Sequence, residues 1–462
     1  MGAAVFNTDE VEQLGLAGSI PVRLRHPPYC GAVTDVRRAV PRTDTVLADP
    51  ALVAAAARLG TAPVKAAVRD AQQAVRAGHL APDDVVAAVL AALPRAPGGL
   101  VAVVNATGVI VHTNLGRAPL GPAALEAVAV AAGTSDVEFG LTSGARARRG
   151  RETLAALAAA VPDAEAVHVV NNAAAALVLC ATVLAGGGRE IVVSRGEMVE
   201  IGDGFRLPDL LVSTGAVLRE VGTTNRTTAA DHAAVLGPAT GFVLKVHPSN
   251  FVVTGFTAAA PTRELAALDA PLVVDVGSGL LRPDPLLPHE PDVATALRDG
   301  ATVVLCSGDK LLGGPQGGLL FGSLEVVERL RRHPLARALR VDKLTLAALH
   351  ATLTADSTPV RDMLDASVES LRGRAAALAA AVAHPDVVAV ETTATVGGGG
   401  APGVELPSAG LALPAEHVAS LRQGDPPVVG YLRDGRGLLD LRTVHPFHDD
   451  VVRAALVRVL HG

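Results

Sequence analysis

Between residues 101 and 320, five short β-branched runs (167–170, 190–194, 241–247, 271–276 and 302–307) alternate with Ala/Leu-rich helical segments. This alternation constrains the fold more than any other feature. Strands separated by helix-length segments pair through crossovers, giving a mostly parallel sheet covered by helices. The expected class is α/β. Ligands of such sheets bind beyond the carboxyl ends of the strands, so the residues just past each run are the candidates for chemistry.

The most telling of these follow the last run, in Ser307-Gly308-Asp309-Lys310-Leu311-Leu312-Gly313-Gly314. A lysine in a glycine-rich turn after a buried strand is placed to form an imine, because burial and nearby cations make its amine nucleophilic. Thirty-five residues earlier, Asp275 lies inside the apolar run Val273-Val274-Asp275-Val276. An imine-forming lysine with an aspartate for a pyridinium nitrogen is what pyridoxal phosphate (PLP) requires. A loop lysine and an unrelated aspartate fit these two features equally well.

Other segments carry weaker signals. Asn171, Asn172 and Ala173 open a helix after a strand, where backbone N–H groups and the helix dipole suit a phosphate; an ordinary Asn-capped helix reads the same way. Asn105 to Leu120 is dense in polar groups, with Arg117 as an anion clamp or as part of a capped loop. Arg146, Arg148, Arg149 and Arg151 suit phosphate or a tRNA backbone, or a solvated face. Arg337 and Arg340, three apart, are expected to share a helix face within a helical stretch 337–353. His247 is as suited to a structural hydrogen bond as to a ligand.

Composition narrows the classes. The net charge of -6 gives no global attraction to nucleic acid. With no Trp, two Tyr and eight Phe, stacking-based RNA recognition is disfavoured. Cys30, Cys180 and Cys306 are scattered, which suits a reducing cytoplasm and neither a disulfide framework nor a metal site. No apolar run is long enough to span a bilayer. Four regions are expected: a leader over 1–39, disordered or preceding the true start; a helical domain over 40–100; a large α/β domain over 101–334; and a small α/β domain over 335–462, with a hairpin at Asp434-Gly435.

The runs NATGVIVHTNLGRAPL, VVSRGEMVEIGDGFRLPD, EVGTTNRT, KVHPSN, DVGSG, SGDKLLGGPQGG and HPLARALRVDKLTLAAL together resemble the bacterial L-seryl-tRNA(Sec) selenium transferases, or selenocysteine synthases, over most of residues 42–462. The resemblance implies a fold-type-I PLP enzyme with an N-terminal tRNA-binding domain. It implies a homo-oligomer, a ring of dimers (a decamer) with sites at dimer interfaces, acting on seryl-tRNA(Sec) and selenophosphate in the cytoplasm. Lys310 then matches the PLP lysine and Asp275 its pyridine-nitrogen partner. Asn171, Asn172, Ala173 and Ser307 match the phosphate site, and Arg117, Arg337 and Arg340 the site of the selenium donor's oxyanion. The chain departs from the family pattern at Ala173, at Phe139-Gly140 and in the loop SGARARRGR. A related PLP lyase acting on a small amino acid or amino sugar phosphate is the alternative.

Overall fold

A computed structural model describes residues 39–202 and 204–461. The expected leader, but for Ala39, and Cys30 lie outside the described residues. The chain divides into two compact units, Met1–Val101 and Ala102–Gly462. The expected boundary near 334 falls inside the second unit.

The described part of the first unit is helical: Thr43–Leu47, Pro50–Leu59, Thr61–Arg76 and Val85–Ala92. The third helix buries Val64, Val68, Ala71, Gln72 and Val75, steps of three and four that place one stripe on one side. Buried Gln72 does not sit there unpaired, since its Nε2 donates to the Pro41 carbonyl at 2.8 Å. Leu52, Val64, Val68, Val75 and Val89 form a small core of this unit.

The second unit is organised by a seven-stranded sheet. Its strands are β1 (Ala166–Val170), β2 (Glu190–Ser194), β3 (Val217–Val221), β4 (Thr240–Val246), β5 (Leu272–Gly277), β6 (Val303–Ser307) and β7 (Gly318–Gly322), in the order β1-β7-β6-β5-β4-β2-β3. The pairs from β3 through β6 are parallel, and β7 alone runs antiparallel to both neighbours. The central strands are largely apolar because both faces are covered, Lys245 and Asp275 being the charged exceptions. Val273, Val303 and Leu305 belong to a core on one face, with the helix Ala173–Ala185. Val274, Val304 and Cys306 belong to a core on the other.

All five expected strands form, with ends shifted by at most one residue. β3 and β7 were not expected. β3 is the edge strand and carries Arg219 and Glu220, so it lacks an apolar run; β7 hides in the glycine-rich stretch after Lys310.

A second, four-stranded antiparallel sheet is built from Val388–Thr395, Glu405–Pro414, Arg436–Asp440 and Tyr431–Arg433, in that spatial order. Asp434 (φ 51°) and Gly435 (φ 74°) make the expected hairpin turn, both central residues being left-handed as a two-residue turn demands. Val104–Asn105 pairs with Val428–Val429, so the start of this unit is tied to its C-terminal part.

One expectation fails. The stretch 337–353 is not one helix but two, Pro334–Ala338 and Lys343–Thr354. Asp342 starts the second by accepting from Leu344 N (2.7 Å) and Thr345 N (2.9 Å), an N-cap that competes with helix continuation. Arg337 is therefore helical while Arg340 lies in the link, bridged to Val170; they share no helix face.

Candidate active site

The turn after β6 is fixed by its own backbone. Gly308 N donates to Gly317 O (2.8 Å) and Gly314 N to Gly308 O (3.0 Å). A Cβ on Gly279 would lie 2.3 Å from Ser307 O, so the segment after β5 packs closely against the lysine turn. Leu311 N donates to Ser278 O at 2.8 Å. These contacts bring the two segments that carry Asp275 and Lys310 together.

Burial lowers Lys310 below the ordinary lysine range; Asp275 opposes the shift and Arg117 adds to it. Burial pushes Asp275 up to about 6, against the pull of Lys310 and a hydrogen bond from Gly277 N. Desolvation disfavours both charges while each partly restores the other's. Asp275 Oδ1 accepts from Gly277 N at 2.9 Å. Lys310 Nζ donates to the Gly399 carbonyl at 3.2 Å.

Gly399 belongs to a run of four glycines, 397–400, that sequence reasoning passed over. Its φ is +88°, and a Cβ there would lie 2.7 Å from Lys310 Nζ, so only glycine lets this strap lie on the lysine. Glu290, also missed, anchors the strap. Its Oε2 accepts from Ala401 N (2.8 Å) and pairs with His247 Nε2 (3.2 Å), while Oε1 is buried without a partner. His247 thus has the structural hydrogen bond its sequence position allowed. Glu290, Asp275 and His247 line one cavity of about 580 Å³. The run of glycines was the only signal in the sequence for this arrangement.

The other expected residues divide. Asn172 caps the helix Ala173–Ala185, its Oδ1 accepting from Ala175 N at 2.8 Å. The amides of Ala173 and Ala174 have no hydrogen-bond partner among the described residues. A Cβ on Gly318 would lie 2.0 Å from Asn172 O, so β7 comes close to this helix start. Asn171 faces elsewhere: with its side-chain amide turned so that nitrogen meets the neighbouring carbonyls, Nδ2 donates to Leu339 O (2.8 Å) and Arg340 O (3.1 Å). Ser307 Oγ donates to Asp309 Oδ1 at 2.9 Å, and Asp309 Oδ2 accepts from Arg117 Nη1 at 2.8 Å. Arg117 is left-handed at φ 64° and reaches the lysine turn. Arg337 and Arg340 do not join it within one chain. They line a separate cavity of about 510 Å³ with Arg146, Arg148 and Arg149.

Residues 103–445 match the family described as L-seryl-tRNA selenium transferase, and residues 37–76 match the selenocysteine synthase N-terminal family. The chain belongs to the L-seryl-tRNA selenium transferase family. It is 40% identical to the L-seryl-tRNA(Sec) selenium transferase of Hyphomonas neptunium over 444 residues, 88% of this chain and 95% of that one. It is 42% identical to that of Geobacter sulfurreducens over 441 residues, again 88% of this chain and 95% of the relative. Among solved structures, a D-glucosaminate-6-phosphate ammonia-lyase superposes with a TM-score of 0.54 at 19% identity, covering 79% of this chain and 96% of the lyase. The fold is the fold-type-I architecture of PLP-dependent enzymes. No helix among the described residues is long and apolar enough to cross a membrane.

Proposed function

We propose that this transferase converts L-seryl-tRNA(Sec) to L-selenocysteinyl-tRNA(Sec), with selenophosphate as selenium donor and PLP as cofactor. The observation that carries the reading is the partly buried Lys310–Asp275 pair, in a chain of this family. The lyase alternative shares the fold, but the match of residues 37–76 to the selenocysteine synthase N-terminal family favours a tRNA substrate.

The residues present suit PLP. Asp275 is a partly buried carboxylate held near 6, which a protonated ring nitrogen would keep ionised. Lys310 would hold the cofactor covalently. The free amides of Ala173 and Ala174, beside the Asn172 cap, would hold its phosphate. Ser307, whose hydroxyl goes to Asp309, would support that site through the turn. When bound, PLP supplies an electron sink for the seryl α-carbon.

The rest falls to side chains. Burial favours the neutral amine of Lys310, the form that takes a proton, so Lys310 Nζ removes the α-proton. The serine hydroxyl leaves as water, giving a dehydroalanyl group on the tRNA. Selenium then adds to the β-carbon, the α-carbon takes a proton back, and water cleaves the P–Se bond to release phosphate. Arg117, Arg337 and Arg340 balance the donor's charge. Since Arg337 and Arg340 line a different cavity from Asp275 in one chain, we read the site as completed across a subunit boundary, in a ring of dimers of ten chains. A charged-tRNA substrate places the enzyme in the cytoplasm.

Lys310→Ala tests the reading. The purified parent should show a visible chromophore that borohydride bleaches, and the variant should lack it. An unchanged spectrum removes Lys310 from its assigned role.

A further inference from the structure

The arginines of 146–149 and of 331–340 come from separate elements, yet seven of them line one cavity: Arg146, Arg148, Arg149, Arg331, Arg332, Arg337 and Arg340. Like charges gathered around one hollow repel, and the arrangement is stable only with anions among them. One anion is built in. The Glu138 carboxylate lies 3.3 Å from Arg146 Nη2, 3.3 Å from Arg149 Nη1 and 3.5 Å from Arg340 Nη1. At the rim, Glu328 pairs with Arg331 (2.6 Å) and Arg332 (3.3 Å). Two carboxylates leave seven guanidinium groups undercompensated. The side chains of Arg148 and Arg337 make no hydrogen bond or ion pair among the described residues. In the cavity wall, His168 has a buried Nε2 with no partner.

We propose that Glu138 is an internal stand-in for the donor anion: its carboxylate occupies the seat between Arg146, Arg149 and Arg340 in the free enzyme, and a tetrahedral dianion displaces it. The inference rests on the reading of Arg337 and Arg340 as the donor's oxyanion site.

The geometry lets the exchange happen without refolding. Glu138 O accepts from Ala147 N at 2.9 Å, beside the short strand pair Phe139–Gly140 and Ala145–Arg146. The backbone is therefore held while the side chain, 31% exposed, has solvent to swing into. A carboxylate brings one charge and two acceptors. A phosphate-class dianion brings two charges and three or four oxygens, enough to engage Arg148 and Arg337 as well. A monoanion gains little over the carboxylate it would replace, so Glu138 also selects for doubly charged donors.

The test is equilibrium binding of inorganic phosphate at pH 8 to the full-length, PLP-loaded protein. Exposed ion pairs are individually weak, so removing the competitor should tighten phosphate about threefold or more in both Glu138→Gln and Glu138→Ala. Glu328→Gln makes the same charge change at the rim and should give less than half that gain. Unchanged or weaker binding in both Glu138 variants, or an equal gain at Glu328, overturns the displacement. Arg337→Ala separates the two ideas. If it abolishes phosphate binding while the Glu138 variants do nothing, the oxyanion site stands and only the stand-in role falls. If Arg337→Ala leaves phosphate binding intact, the oxyanion site itself is refuted.

Discussion

Replacing Asp275 with asparagine separates what the carboxylate costs the cofactor-free fold from what it does for the cofactor. Asparagine keeps the volume and an oxygen for the Gly277 N–H, now bound at 2.9 Å. The carboxyl is held at about 6 against an ordinary 3.8, a gap equivalent to about 3 kcal/mol. The folded value lies above the unfolded one, so the folded state binds the proton more tightly. The resulting stability is fully present below about pH 4 and is lost as pH rises through 6. At pH 8 the cofactor-free parent carries the whole deficit, and Asp275→Asn should be more stable by up to about 3 kcal/mol. At pH 4 the advantage should shrink to a few tenths of a kcal/mol. Urea midpoints of cofactor-free protein, at fixed protomer concentration, measure this. Adding PLP should reverse the order at pH 8, because asparagine cannot balance a protonated ring nitrogen. A variant less stable than the parent at pH 8 without cofactor, or a difference independent of pH, would refute the reasoning.

Replacing Arg337 and Arg340 together with alanine should slow selenium incorporation while leaving loss of the serine hydroxyl largely intact; equal loss of both half-reactions, followed on labelled seryl-tRNA, would make the arginines structural. Gly318→Ala places a Cβ 2.0 Å from the Asn172 carbonyl and must push the helix start away from β7, so thermal stability should fall by a few kcal/mol and PLP should wash out on gel filtration.

The sheet was legible because its central strands are apolar on both faces, which leaves an unbroken run for the eye. β3 was hidden by Arg219 and Glu220, which an edge strand tolerates. Lys310 and Asp275 stood out for a similar reason: Asp275 is a charge inside an apolar strand and Lys310 one just past such a strand, where a charge needs a purpose. The arginines were harder. Spacing put Arg337 and Arg340 on one helix face, but the helix ends at Ala338, between them, before Asp342 caps the next, and they converge on one cavity by tertiary packing instead. Asn171 resembled a phosphate ligand, yet its amide goes to the 339–340 link. Glu290 gave no signal, because His247 and Ala401 lie far from it in the sequence; Glu138 gave none because its third partner, Arg340, reaches it only through tertiary packing.

The central claim is that Lys310 serves selenium transfer to a tRNA-borne serine. The direct measurement is to incubate the PLP-loaded protein with seryl-tRNA(Sec) and radiolabelled selenophosphate, then deacylate the tRNA and identify the amino acid. The account predicts labelled selenocysteine from the parent and unaltered serine from Lys310→Ala. Serine recovered unchanged from the active, chromophore-bearing parent would contradict it.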